Sequence, residues 1–285
     1  MKSYSVKTGS FLSCLSTSLP SVITSLELLY PGMITDYQDD FYDFHIKLST
    51  PQTIRRWLKP QVVFFFDGKK PFKPLPLDQA FPMFEWGLNW CISHHCHHFL
   101  IIHAAVVAKN DKALLLPGQP GAGKSTLCAA LVHSGWRLLS DELTLVSLTT
   151  GLISPLARPV CLKNESIKVI QNFAPEAVFG NVVHDTVKGS VTHVKAPDES
   201  IERVDIPATP LWVVFPQYQT DAECQLSDKK KGLSFMELAK LSFNYNLLAL
   251  NGFNALSQLV DNSSCFDLRY SRLEEAIPTL DNLVS

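Results

Sequence analysis

Gly118-Gln119-Pro120-Gly121-Ala122-Gly123-Lys124-Ser125 is the stretch that decides how this chain is read. It has the form G-x-x-x-x-G-K-[ST], the phosphate-binding loop. Residues 113–116, all apolar, come just before it and read as a buried strand. Residues 126–133 follow as a helix, which Gly135 is placed to end. The glycines at 118, 121 and 123 let the backbone turn its N–H groups inward, and a helix N-terminus adds partial positive charge behind them. Together they predict a nucleoside triphosphate site formed by Gly118, Gln119, Pro120, Gly121, Ala122, Gly123, Lys124, Ser125 and Thr126. In that motif the lysine reaches the β- and γ-phosphates and the serine hydroxyl joins a Mg²⁺ shell.

The next strand sharpens the expectation. Trp136-Arg137-Leu138-Leu139-Ser140 leads into Asp141-Glu142. A strand–helix–strand unit is nearly always a right-handed parallel crossover, so both strands end at one sheet edge. Asp141 and Glu142 are thereby expected beside the loop, only 17 residues after Lys124. Adjacent carboxylates there suit a divided task, one on a metal ion and one on a nucleophile's proton. The plainer alternative is an acidic turn that opens a hairpin to residues 143–148.

Residues 101–146 resemble the catalytic domain of HPr kinase/phosphorylase, in which a His-containing strand, a phosphate loop, a short helix and an acidic pair follow one another. The nucleotide-binding core of that family is similar to phosphoenolpyruvate carboxykinase. The whole chain resembles the HPr-kinase-related kinase A group through Glu85-Trp86-Gly87-Leu88-Asn89-Trp90, Arg158-Pro159 with Leu162-Lys163, and Lys188-Gly189 followed by His193. The resemblance implies an α/β P-loop kinase core with a mixed sheet over residues 83–285; residues 1–82 read by themselves as a small β-rich N-terminal module. It implies a kinase using ATP and Mg²⁺ on a hydroxyl, of Ser in a protein or peptide or of a small molecule. It makes Asp141 the catalytic base, Ser125 and Glu142 the metal-side residues, and His103 a neighbour of the active site. Lys124 acts on the phosphates. The parent family forms hexamers, so the resemblance also raises a homo-oligomer. A nucleotide-dependent switch or ATPase working through partners, and a scaffold that binds nucleotide without turnover, are the competing readings. Two departures matter: the parent's Glu-Ile-Arg-Gly stretch, tied to phosphorolysis, has no counterpart here, and the N-terminal part does not resemble the parent's.

Composition narrows the rest. With 285 residues, 46% hydrophobic and 18% charged, the chain suits one large or two modest globular domains. A net charge of −2 offers no bulk field for nucleic acid or an anionic membrane. Seven scattered cysteines read as reduced thiols in a cytoplasmic protein. Residues 11–30 are too diluted by Ser and Thr for a signal peptide, and no run approaches the roughly 20 apolar residues of a membrane helix.

Residues 1–82 read as strands without a helix, among them 41–48, which alternate, and 62–66, ended by an Asp67-Gly68 turn. Pro71, Pro74, Pro76 and Pro82 mark an irregular connection. Residues 84–98 read as a helix carrying Trp86 and Trp90 on one face. Within it Cys91, His94 or His95, and His98 have metal-ligand spacing, against the reading of them as partly exposed helix residues. Arg158, Lys163 and Lys188 are candidate phosphate contacts, against ordinary solvated cations. Short strands at 152–153 and 160–162 are expected to continue the sheet, and residues 172–200 to form a mobile loop. Residues 211–215 read as a buried strand, 234–260 as one or two helices capped by Ser234, and 268–283 as a strand and a helix.

Overall fold

A computed structural model describes residues 1–51 and 59–284; positions 52–58 of the expected N-terminal module, and 285, lie outside the described residues. The protein is mixed α/β with mixed sheets, and its N-terminal region is small and β-rich.

In that region, strands β1 (Lys2–Thr8), β2 (Phe11–Thr17), β3 (Ile34–Asp36), β4 (Phe44–Ser49), β5 (Gln61–Phe66) and β6 (Leu75–Pro76) form one sheet in the order β3-β1-β2-β4-β5-β6. Along β4 the period-two pattern works as expected. Phe44, Ile46 and Leu48 are buried while His45 and Lys47 face solvent. Asp67 and Gly68 both have positive φ, and Phe66 and Lys69 exchange backbone hydrogen bonds across them, the two-residue hairpin turn that matches strand twist. Gly9, in the β1–β2 turn, has φ of +59°, and a Cβ there would stand 2.2 Å from the Pro155 carbonyl oxygen. That contact brings the first sheet against the backbone of the rest of the chain.

Two helices cover this sheet. The first, α1 (Pro20–Leu29), corrects the expectation of none before residue 82. Pro20 occupies a first-turn position where its missing N–H is harmless. Val22, Leu26 and Leu29 then fall on one buried face at helical spacing, which the intervening Ser and Thr disguise. The second, α2 (Ala80–His95), begins earlier than expected, because Pro82 sits in its first turn rather than in an irregular connection. The expected boundary at 82/83 falls inside this helix. It buries Phe84, Leu88, Cys91 and Ile92 in one apolar core with the first sheet; Trp90 packs half-buried against that core beside Phe66 and Phe72, and Trp86 is half-buried.

The second sheet contains β7 (Phe99–Lys109), β8 (Lys112–Pro117), β9 (Arg137–Ser140), β10 (Leu143–Ser147), β11 (Ile153–Ser154), β15 (Thr209–Tyr218), β16 (Gln225–Asp228) and β17 (Ser264–Tyr270). Its order is β11-β10-β7-β8-β15-β17-β16, with β9 also beside β7. Strands β8, β15 and β17 are mutually parallel. Both faces are covered, which suits the continuous apolar run of β7. Ala104, Val106 and Ala108 face one core with α6 (Lys231–Leu241) and α8 (Leu250–Asn262). On the other face Ala105 and Val107 join α3 (Lys124–Val132) and α9 (Leu273–Val284), whereas Phe99 and Ile101 join the core of the first sheet. His103 stands between these two cores, and the seam they leave is where polar side chains gather.

Four local expectations are corrected. β12 (Val160–Lys163) leaves the large sheet and pairs with β14 (Gly189–Val194), which pairs with β13 (Val183–Thr186) in a separate antiparallel sheet. The segment expected as a mobile loop therefore holds a hairpin. Helix α4 (Glu165–Phe173) and the short α5 (Asp198–Glu202) flank it. Ser234 lies inside α6 and bonds back to the Lys230 carbonyl rather than capping the helix. A short α7 (Tyr245–Leu248) intervenes before α8. Among the described residues no helix is long and apolar enough to cross a membrane.

Candidate active site

The glycine-rich loop joins the end of β8 to the start of α3. Gly121 and Gly123 both have φ of +89°, a left-handed backbone that L side chains rarely adopt. Space makes Gly123 doubly restricted, since a Cβ there would lie 2.4 Å from the Tyr270 hydroxyl oxygen. That hydroxyl donates to the Gly123 carbonyl at 3.2 Å, and the Tyr218 N–H donates to the Ala122 carbonyl at 3.2 Å. Two strands of the large sheet thus hold the loop from outside. Gln119, Pro120 and Gly121 are exposed, and Ser125 and Thr126 are half-buried. Lys124 is only 7% exposed, and its ammonium donates to the carbonyls of Gly118 (2.6 Å) and Gln119 (3.1 Å). Burial lowers its pKa below the usual lysine value, opposed by Asp141 and Glu142.

Both β8 and β9 run antiparallel to β7, so they are parallel to each other with β7 between them. Their C-terminal ends meet at one edge, which brings Asp141 and Glu142 to the loop. The acidic pair does not open a hairpin. Strands β9 and β10 lie one after the other along the same flank of β7, with Ser140 opposite Val106 and Leu143 opposite His103.

The two acids face different company. Asp141 accepts the Cys161 N–H at 3.0 Å through Oδ2, and its Oδ1 is buried without a partner. Burial raises this carboxyl to about 6, against the pull of the Cys161 N–H and the neighbouring Ser125 hydroxyl. Glu142 accepts from the Asn89 amide nitrogen at 2.5 Å, and its other oxygen is 3.8 Å from the Lys188 ammonium. Burial pushes Glu142 up, but Lys188, Lys163, His103 and Arg158 together hold it below the ordinary carboxylate value. His103 is half-buried with its ring 5.8 Å from Phe243, and burial and Lys124 lower its pKa.

Behind Glu142 runs a buried chain of hydrogen bonds. Tyr30, which caps the C-terminus of α1, donates its hydroxyl to Glu85 of α2. Arg158 donates one terminal nitrogen to the other Glu85 oxygen at 3.3 Å and the second to the Asn89 side-chain carbonyl. The Asn89 amide, its oxygen occupied in this way, turns its nitrogen to Glu142. Arg158 is therefore committed to Glu85 and Asn89, and is not the free phosphate cation its sequence position allowed. Lys188 is shared between Glu142 and the face of Trp86, 5.0 Å away. Lys163 is half-buried, close enough to influence both acids and Lys124; the Ser166 hydroxyl bonds to its backbone, and no hydrogen bond of its ammonium is seen among the described residues. His193 lies buried against Phe81, and burial drives its pKa down to about 3.

The Cys/His cluster at 91–98 does not assemble. Cys91 and Cys96 are buried while His94, His95 and His98 are exposed, and no group of metal-ligating residues is found among the described residues. Tyr30 and Glu85 had no role in the sequence reading, although Glu85 stood in the run quoted for the family resemblance. A buried Glu in an aromatic helix face was the available signal for Glu85, and Tyr30 left none. No protein-family model matches the chain, and no curated protein matches it.

Proposed function

We propose that this protein is a phosphotransferase of the HPr kinase-like P-loop type, moving the γ-phosphate of ATP to a hydroxyl. One observation carries the reading. Lys124 and Ser125 open a helix behind a left-handed glycine loop, and Asp141 arrives from the end of β9, across β7, with its carboxyl within the influence of Ser125 and one oxygen buried and unpaired. A helix N-terminus with inward amides is an anion site, and a lysine there adds charge where a γ-phosphate would lie.

The residues also fit Mg²⁺. It prefers hard oxygen donors and keeps several waters, so the Ser125 hydroxyl and Asp141 Oδ1 would suffice beside the phosphates. When bound, the ion neutralises charge on the transferring group. This placement supports the reverse of the order expected for the acidic pair, with Asp141 on the metal side and Glu142 on the acceptor's proton. Glu142 stays ionised among Lys188, Lys163 and Arg158, and the Asn89 amide fixes its direction. Lys163 supplies positive charge for the phosphoryl group, Lys188 stays on Glu142, and His103, kept neutral by burial, remains at the edge of the site.

The test is transfer of label from γ-labelled ATP in lysate from the source organism, comparing wild type with Lys124→Ala. Lys124→Ala should lower transfer about 10²–10³-fold. Label appearing only as free phosphate would favour a nucleotide-dependent switch, and equal nucleotide affinity and turnover in both proteins would remove the proposal. Glu142→Gln should abolish transfer at saturating Mg²⁺, whereas Asp141→Asn should raise the Mg²⁺ needed for half-maximal rate.

A further inference from the structure

A nucleotide on the loop has two ends, and the acidic pair accounts for only one of them. That pair also lines a narrow cleft between α2 and β12, where about 10 Å³ leaves room for a single water. A far larger cavity, of about 370 Å³, opens at the other flank of the loop. In strand order β8 stands between the two, with β7 and β9 leading to the acids and β15 and β17 leading to the cavity. Because β8, β15 and β17 are parallel, the segments that follow them share one sheet edge, the edge where ligands of such sheets bind.

The cavity is built from the segments after β15 and β17, which are tied to the loop and to each other. Tyr218 closes β15, and its N–H donates to the Ala122 carbonyl. Its Cβ lies 3.2 Å from the place a Cβ on Gly123 would take. The Gln219 N–H donates to the Tyr270 carbonyl at 3.0 Å, and the Ser271 hydroxyl donates to the Ala222 carbonyl at 2.8 Å. The Tyr218 ring itself is 52% exposed, propped at 5.9 Å against the buried ring of Tyr270. An exposed ring held in this way is a stacking platform for a base.

Charge decides which part of a nucleotide enters. Asp221, Glu223 and Glu275 line the cavity together with Arg272, whose guanidinium lies 3.5 Å from the Glu275 carboxylate. Phosphates are repelled by such a lining, whereas ionised carboxylates accept protons from hydroxyl and amino groups. The volume falls within the roughly 300–1,000 Å³ typical of small-molecule pockets.

We propose that this cavity holds the nucleoside half of the nucleotide, an amino-bearing purine lying on the Tyr218 ring with its amino group and sugar hydroxyls turned to the carboxylates. The inference rests on the nucleotide site of the phosphotransferase reading and adds the direction in which the ligand lies. The γ-phosphate points to Asp141 and Glu142, and the base points to the ends of β15 and β17. Selection is then divided, with the loop reading phosphate and the cavity reading the base.

Calorimetric titration of the full chain with Mg²⁺ tests this, using the β,γ-imido analogues of ATP and UTP, and tripolyphosphate, which has no nucleoside. Tyr218→Ala keeps the backbone N–H on Ala122 and removes the ring. It should weaken the ATP analogue about tenfold and leave tripolyphosphate within about twofold, while Tyr218→Phe should bind the ATP analogue as wild type does. With wild type, the UTP analogue has a smaller ring and no amino group, and should bind at least about threefold more weakly than the ATP analogue. An unchanged affinity of Tyr218→Ala for the ATP analogue, an equal loss for tripolyphosphate, or equal binding of the UTP analogue would overturn the proposal. Lys124→Ala, read in the same titrations, should weaken all three ligands. If Lys124 governs all three while Tyr218 governs none, only the nucleoside inference falls; if neither nucleotide nor tripolyphosphate binds, the phosphotransferase reading falls.

Discussion

The loop and the cleft meet at Asp141 and Glu142, yet they manage charge in opposite ways. The loop leaves Gln119, Pro120 and Gly121 exposed, and its lysine has only backbone carbonyls for partners. The cleft between α2, the acidic pair and β12 has its cation Arg158 neutralised by Glu85 and Asn89, and beside it Lys188 is paired with Glu142. Charge held by weak partners is available to an incoming anion, whereas charge already in an ion pair mainly holds its partner still. On the proposed function, anion binding would therefore concentrate on the loop side, and the cleft would orient the carboxylates.

The sharpest way to break that contrast is Arg158→Ala. Glu85 is 4% exposed, and burial already raises its pKa against the pull of Arg158. Removing the guanidinium strands a buried carboxylate, which typically destabilises by about 3–5 kcal/mol. Denaturant unfolding should show that loss, and adding Glu85→Gln to the variant should return part of it. Lys163→Ala, on the loop side, should stay within about 0.5 kcal/mol. Similar losses for Arg158→Ala and Lys163→Ala would erase the distinction.

A smaller effect separates the two acids by pH. The Asp141 carboxyl is raised to about 6 by burial, above the ordinary value of 3.8. Between those values the unfolded chain has already ionised this group while the folded chain still holds its proton, so folding loses stability as pH rises through the window. Above about pH 6 the ionised form leaves a penalty of about 3 kcal/mol. In the metal-free protein the stability difference between Asp141→Asn and wild type should move in favour of the variant by up to that amount between about pH 4 and pH 7. Glu142, held below its ordinary value, should give Glu142→Gln a trend of opposite sign at lower pH. Parallel pH profiles for the two variants would mean that their surroundings do not differ as described.

How much of this was legible in the sequence follows from distance along the chain. Lys112 to Glu142 is one strand–helix–strand unit whose glycines, lysine and acids are spaced by local geometry, so its course could be read directly. The cleft depends on pairs remote in sequence. Tyr30 meets Glu85 across 55 residues and Glu85 meets Arg158 across 73, and no periodicity encodes either contact. Arg158 could be flagged as a cation near the site, but its carboxylate partner lay on a helix read for its aromatic face. The hairpin of β13 and β14 was missed for another reason. Its polar His184, Asp185 and Lys188 are mostly exposed, so the alternation that marks a half-buried strand is weak there.

The smallest effect sets a buried hydrogen bond against an exposed ion pair, both made by the N-terminal region. Tyr30 is 1% exposed and donates its hydroxyl to Glu85, which itself must hold Arg158. Tyr30→Phe keeps the ring against Phe84 and removes only the hydroxyl, leaving one oxygen of a buried carboxylate without its donor. Bonds to charged groups contribute about 1.5–3 kcal/mol, and the loss should be of that order. Lys7 and Asp205 form an ion pair at 2.9 Å, but both side chains are more than half exposed, so Lys7→Ala should change stability by less than about 1 kcal/mol. Because Arg158 also holds Asn89, the hydroxyl should act beyond its own bond. A double-mutant cycle of Tyr30→Phe with Asn89→Ala should show a coupling of about 0.5 kcal/mol or more, the level expected within one hydrogen-bonded network. Additive losses would mean that Tyr30 stabilises Glu85 alone. In that case the polar chain ends at Arg158, and α1 has no influence on the direction of Glu142.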